Sequence, residues 1–366
     1  MNMQNLHTLI DRYEQNYYVV NDQEHDEKFK WEAVQCFRNV WFQGQEDKLP
    51  FSKLFDLSMK KSSLLINNSM VSPTNGIVKM AEQRPEEIER LVRNVLFAPY
   101  DSVPELQNHM DTFLAETENI RKDLFPRFYR YKQDRHAASC YLSFFAPEKH
   151  YIYRYSEAED FAKYIEFGKD LGSGADFNLE NYYEMADLVV QALREHGSLM
   201  EKYEKLMKGD PNYYFDESLH LMAFDLMYCC RCYDFYEGLQ HKTKKDSLRD
   251  YTQRELKAKE EADRLEKIRA LEQEIQALDL RISEYREISL LGVEVTQMKY
   301  GRGIVVSQQD ENIVVQFAEK KINYIISAKY PMRPRFEDDE MIVAAYTDLA
   351  ALKKKQEGLQ KELKSL

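Results

Sequence analysis

The chain has no run of about 18 apolar residues, so no segment is expected to cross a membrane as a helix. Its opening, MNMQNLHTLIDRYEQN, lacks the basic and apolar stretches of a secretory signal. It has only five cysteines in 366 residues, and an odd number does not read as a disulfide framework. These absences together predict a cytosolic chain.

Catalytic signatures are missing too. Gly168-Lys169-Asp170-Leu171-Gly172-Ser173-Gly174 lacks the order of a phosphate-binding loop and reads as a glycine-rich turn. Neither G-x-S-x-G nor H-E-x-x-H occurs, and the eight histidines fall at no metal-ligand spacing. Cys229-x-x-Cys232 has no second ligand pair and follows the apolar stretch Leu219 to Leu226, so these thiols read as core residues. No cofactor, no metal and no catalytic residues are expected. A metal-dependent nuclease assembled from dispersed acidic residues of the first 236 positions is the competing enzymatic reading, and a purely structural protein adaptor is the third.

What is present favours a folded, mostly helical protein. Apolar residues make up 43% of the chain, with 25 Tyr and 19 Phe, enough to fill a sizeable core. The net charge of −12 is unevenly placed: residues 241–288 balance, residues 289–366 carry +1, and residues 1–240 carry the remaining −13. So acidic a surface repels a phosphate backbone and suits a protein or small-ligand partner.

Residues 1–236 read as one acidic helical domain with a small β element. Helical spacing runs through Phe29-Lys30-Trp31-Glu32-Ala33-Val34-Gln35-Cys36-Phe37 and from Ile88 to Leu96, with Pro85 in a first turn. Further helices are predicted at 104–122, 134–145, 179–207 and 216–236, and Ser156-x-x-Glu159 reads as a capping box opening a helix at 157. Phe128-Tyr129-Arg130-Tyr131 and Tyr151-Ile152-Tyr153-Arg154-Tyr155 have strand composition and form the predicted β element. An arginine between aromatic rings can stack on a base or grip an anion, which makes Arg130, Tyr153 and Arg154 candidate binding residues. Arg135 and His136 stand close by in sequence. Solvated arginines on a half-buried strand are the plainer alternative.

Residues 237–249 read as a polar linker. A charged helix follows over 250–289, then alternating strands in 290–336 with the pattern of a small SH3-like or Tudor-like β-barrel, then a helix over 337–366 with Asp338, Asp339 and Glu340 at its start. Gly301-Arg302-Gly303 is expected to interrupt the first strands. Positions 268, 271, 275, 278, 282 and 285 and positions 342, 345, 349, 352, 359 and 363 step by three and four, interrupted by Gln356. An antiparallel coiled-coil hairpin with the barrel at its tip fits this pattern; two separate amphipathic helices docked on the first domain are the alternative. The barrel carries seven basic against four acidic residues, with Lys299, Tyr300, Arg302, Lys320 and Lys321 as its candidate binding face. Nucleic acid or an acidic protein surface would suit it.

Two family resemblances arise at these residues. Lys30-Trp31-Glu32-Ala33-Val34 with Phe37 and Trp41, Asp134-Arg135, and Tyr151-Ile152-Tyr153-Arg154-Tyr155-Ser156 resemble the region ahead of the AAA+ motor in bacterial modified-cytosine restriction-type ATPases. That resemblance adds Trp31 to the candidate binding set, but no motor follows, so it implies no NTPase activity. Val295-x-x-x-x-Tyr300-Gly301-Arg302-Gly303-Ile304-Val305 is similar to the opening of Tudor-like domains at the C-termini of superfamily 1 DNA helicases, with Gln297 in place of a histidine and Tyr300 in place of a phenylalanine. It implies docking on nucleic acid or on transcription and repair machinery without catalysis. The combined expectation is a non-catalytic accessory or adaptor protein of bacterial DNA restriction, defence or repair.

Overall fold

Asn2, Ser102, Asp134 and Asn178 each turn a side-chain oxygen onto a backbone amide three residues ahead, and each opens a helix. The computed structural model in which they do so describes residues 1–42, 49–284 and 289–366. It divides into two units, Met1–Gln253 and Arg254–Leu366. The protein is mostly helical with a small four-stranded antiparallel sheet, and no described helix is long and apolar enough to cross a membrane.

The first unit holds α1 (Met3–Val20), α2 (Phe29–Phe42), α3 (Phe51–Ser58), α4 (Ser63–Ile66), α5 (Pro73–Gln83) and α6 (Pro85–Arg90). A π-helical turn, Leu91–Leu96, continues α6. Then come α7 (Val103–Leu124), α8 (Arg135–Phe145), α9 (Tyr155–Tyr164), α10 (Leu179–Glu195), α11 (Gly197–Met207) and α12 (His220–Cys232). Their apolar stripes meet in one core: Trp31, Val34, Phe37 and Trp41 from α2, and Tyr182, Ala186, Val189 and Leu193 from α10, are buried in it. From Ala137 to Phe144 every residue of α8 is buried, which makes it the central helix.

The expected β element of this unit does not form; no strand occurs among its described residues. Tyr129–Tyr131 is a 3-10 turn, closed by Tyr131 N donating to the Phe128 carbonyl at 3.1 Å. Tyr151, Ile152 and Tyr153 are all buried, so the alternation of a half-buried strand is absent. Side chains satisfy their backbone instead: Ser139 Oγ accepts from Tyr153 N at 2.9 Å, and the Tyr182 hydroxyl donates to the Ile152 carbonyl.

Other boundaries shift for local reasons. The helix expected at 157 starts at Tyr155, so Ser156 lies inside its first turn and no side chain caps it. The expected 179–207 helix breaks at His196, and the 216–236 helix begins only at His220, because the Asp216 carboxylate accepts from the amides of Ser218 and Leu221 and forms a separate turn. The 237–249 stretch is only partly a linker. Helix α13 (Lys244–Glu284) starts within it, and Lys244 pairs with Glu159 at 3.1 Å and Asp170 at 2.7 Å. The last heptad position of that helix, Tyr285, lies outside the described residues.

In the second unit, β1 (Glu294–Gln297), β2 (Gly301–Gln309), β3 (Asn312–Gln316) and β4 (Lys321–Ile325) form a sheet in sequence order. Gly301-Arg302-Gly303 does not interrupt the strands; it opens β2, with Gly303 opposite Val295. A Cβ on Gly303 would lie 2.6 Å from Val315 and 2.8 Å from Phe317, so glycine lets those side chains close over β2. A bulge falls between Val305 and Ser307. The free edge of β1 exchanges two backbone bonds between Thr296 and Arg335. Val295, Val305, Ile313, Val315, Phe317 and Ile326 form its core with Ile342, Tyr346 and Leu349 of α14 (Asp339–Ser365). Between α13 and α14, Lys267 pairs with Glu362 at 2.8 Å, Glu274 with Lys355 at 2.7 Å, and Gln356 donates to Asp279.

Candidate functional site

Three of the five candidates in the first unit meet at one cavity. Arg135 lies in the first turn of α8, while Tyr153 and Arg154 lie on the extended segment that leads into α9. They line a space of about 700 Å³ together with Leu64, Leu65 and Ile66 of α4, with Asn67, Asn68 and Val71 after it, and with Ser173, Gly174 and Phe177. The volume falls in the range of small-molecule sites. The remaining two candidates are elsewhere. Trp31 is fully buried and donates its indole N–H to the Tyr203 hydroxyl at 3.2 Å, so it faces the core. Arg130 is exposed on the 129–131 turn and does not line the cavity.

His136 ties the walls together. Its two ring nitrogens each lie 2.9 Å from a carbonyl oxygen, that of Tyr153 and that of Leu65. Arg135 donates to the Gly174 carbonyl at 2.6 Å and to Asp111 at 2.7 Å, lies 5.0 Å over the Phe177 ring, and keeps its buried Nε–H unpaired. Arg154 is looser: it sits 3.6 Å from Glu157 and leaves two-fifths of its side chain exposed. Burial, with Glu159 adding to it, pushes the Tyr153 phenol above its ordinary range, so that hydroxyl is a neutral donor. Two helix N-termini, those of α8 and α9, also point their first-turn residues at this space, and only α8 has a side-chain cap.

No protein-family model matches this chain, and no curated protein or solved structure is significantly similar to it. The family resemblances therefore rest on their motifs alone. Among the described residues, no group of three His, Cys, Asp or Glu side chains is placed to hold a metal ion.

On the sheet, the structure gathers part of the expected face. Lys320 Nζ lies 4.2 Å from the centre of the Tyr300 ring and Lys299 Nζ 5.4 Å from it, and the two cations pull the phenol below its ordinary value. Arg302 and Lys321 are exposed on β2 and β4. Arg333 is not available: it is buried and bidentate on Asp339 at 2.6 and 3.0 Å.

Sequence reasoning missed two things. Asn67, Asn68 and Phe177 line the cavity from loops with no periodic signal, although the glycine-rich turn at 172–174 marked one of those loops. It also missed a buried ionic cluster: Lys30 lies 2.5 Å from both Asp225 and Glu27, Tyr13 donates to Asp225, and Tyr233 donates to Glu27 at 2.7 Å. The visible hint was a charge inside each apolar run, Phe29-Lys30-Trp31 and Phe224-Asp225-Leu226. The Tyr228 ring links cluster and cavity, with Lys30 at 4.2 Å and Arg154 at 5.9 Å from its centre.

Proposed function

We propose that this is a non-catalytic binding and adaptor protein of DNA restriction, defence or repair. Its helical unit receives a ligand in the cavity, and its C-terminal unit docks on nucleic acid or a protein partner. The observation that carries the reading is the convergence of Arg135, Tyr153 and Arg154 on one open space lined by aromatic, cationic and amide side chains. In the C-terminal unit the sheet closes as a small SH3-like or Tudor-like barrel, a closure supported by the Thr296–Arg335 bridge on the free edge of β1. The two long helices form an antiparallel hairpin; in support of this, Lys267 and Glu274 take partners in reverse order, Glu362 and Lys355.

The test uses the full chain and fluorescence anisotropy with labelled single- and double-stranded oligonucleotides. Binding with little sequence preference, weakened alike for every sequence by Lys320→Glu with Lys321→Glu, is the expected result. Cleavage of the same oligonucleotides with Mg²⁺ or Mn²⁺, abolished by a single carboxylate substitution, would establish the nuclease reading instead.

A further inference from the structure

The cavity's own chemistry narrows its ligand, a step that rests on the ligand-binding half of the reading above. Helix α9 has no side-chain cap, so the amides of its first turn, at Tyr155 and Ser156, are left for another acceptor. Both residues line the cavity, beside the loosely held guanidinium of Arg154. Tyr153 is 96% buried yet lines the same space, and among the described residues its hydroxyl takes no hydrogen-bond partner. A cavity wall with helix amides, a guanidinium and a hindered phenol is a donor set for a compact anion.

The mouth has a different character. Tyr155 is 51% exposed and Leu64 79% exposed, and both line the cavity. An aromatic ring and an isobutyl group left open to water in the lining of a donor-rich cavity suit a planar apolar ring. Asn68 contributes to the lining, and its amide nitrogen is uncommitted, because its Oδ1 already accepts from the amides of Met70 and Val71. A volume of about 700 Å³ holds one such ring with a sugar and a phosphate and leaves room besides.

We propose that this cavity binds a phosphate monoester carrying a planar ring, of the size of a nucleoside monophosphate. The phosphate sits at the N-terminus of α9 against Arg154 and the Tyr153 hydroxyl, and the ring lies between Tyr155 and Leu64.

The experiment is calorimetric titration of the full chain with the four common ribonucleoside monophosphates, the matching nucleosides, ribose 5-phosphate and inorganic phosphate. At least one monophosphate is expected to bind about tenfold or more tightly than its nucleoside and than ribose 5-phosphate, since both halves are recognised. Arg154→Glu should weaken it about tenfold or more, while exposed Tyr155→Ala weakens the monophosphate and leaves ribose 5-phosphate unchanged. Leu64 and Tyr155 are exposed, so their alanine variants stay informative even where Arg154→Glu fails to fold. Equal affinity for monophosphate and inorganic phosphate, no effect of either exposed substitution, or no binding of any monophosphate would overturn the proposal. Oligonucleotide binding that persists through Lys320 and Lys321 leaves the adaptor reading standing, so the two failures are told apart.

Discussion

A lysine with no solvent contact is held in the core of the first unit by two carboxylates, each of which also accepts from a phenol. Burial alone pulls an ammonium toward neutrality, but Asp225, Cys229 and Glu27 outweigh it and hold Lys30 above its ordinary value. Breaking such a pair from one side leaves an unpaired buried charge. Lys30→Met is therefore expected to destabilise the fold by about 3–5 kcal/mol, and adding Asp225→Asn should recover part of the loss; urea unfolding of both variants checks this. His150 obeys the opposite sign. Burial, then Lys149 and His220, pulls its imidazole down to about 3, while the unfolded chain titrates near 6.5. The stability that this neutral histidine contributes is complete above about pH 6.5 and is lost as pH falls toward 3, by about 1.4 kcal/mol per pH unit, because the unfolded state binds the extra proton. His150→Gln should flatten the urea midpoint between pH 6.5 and 4.5; an unchanged acid limb would rule this residue out as its source.

Between elements, α5 closely approaches the 129–131 turn. A Cβ on Gly76 would fall 2.4 Å from the Tyr131 carbonyl oxygen, a backbone atom that cannot swing away. In an open helix, alanine for glycine stabilises by about 1 kcal/mol. Here Gly76→Ala is expected to lower the unfolding free energy by about 1–3 kcal/mol, the cost of overpacking, and a rise in Tm would show that the contact gives way. The same turn explains why helices were legible and the aromatic segments were not. Helix α2 announces itself through Trp31, Val34, Phe37 and Trp41, all on one buried stripe. Tyr129–Tyr131 and Tyr151–Tyr153 have the composition of strands, but the first closes a local turn on the Phe128 carbonyl and takes Ser72 as its distant partner, while the backbone of the second is met by Ser139, His136 and Tyr182, matched only by the fold. Composition carries no information about such partners. For the cavity, Tyr153 and Arg154 are neighbours in sequence and Arg135 was added for standing near the 128–131 segment of the expected β element, which does not form; Arg135, Asn68 and Phe177 all reach the cavity through tertiary packing.

At the scale of the whole chain, charge is divided: residues 1–240 carry −13 and the remainder +1. Any docking on nucleic acid would therefore have to come from local cations working against a repulsive long-range field, which would make it weak and strongly dependent on salt. Arg333, counted with the basic excess in sequence, is spent on Asp339; of the six remaining cations, all exposed, Lys299, Arg302, Lys320 and Lys321 are those of the candidate face. If all four meet phosphates of duplex DNA, the log–log salt slope is about −3.6, since each contact releases counterions worth about −0.9. Affinity should then fall about 150-fold between 50 and 200 mM salt. Replacing Lys320 and Lys321 with glutamate removes two contacts and should bring the slope to about −1.8. Anisotropy at four salt concentrations measures both slopes on the full chain. A wild-type slope near zero, or one that the double substitution leaves unchanged, would assign this face to a protein partner: the Lys320–Tyr300–Lys299 stack would then be a docking surface for an acidic protein segment, not for a phosphate backbone.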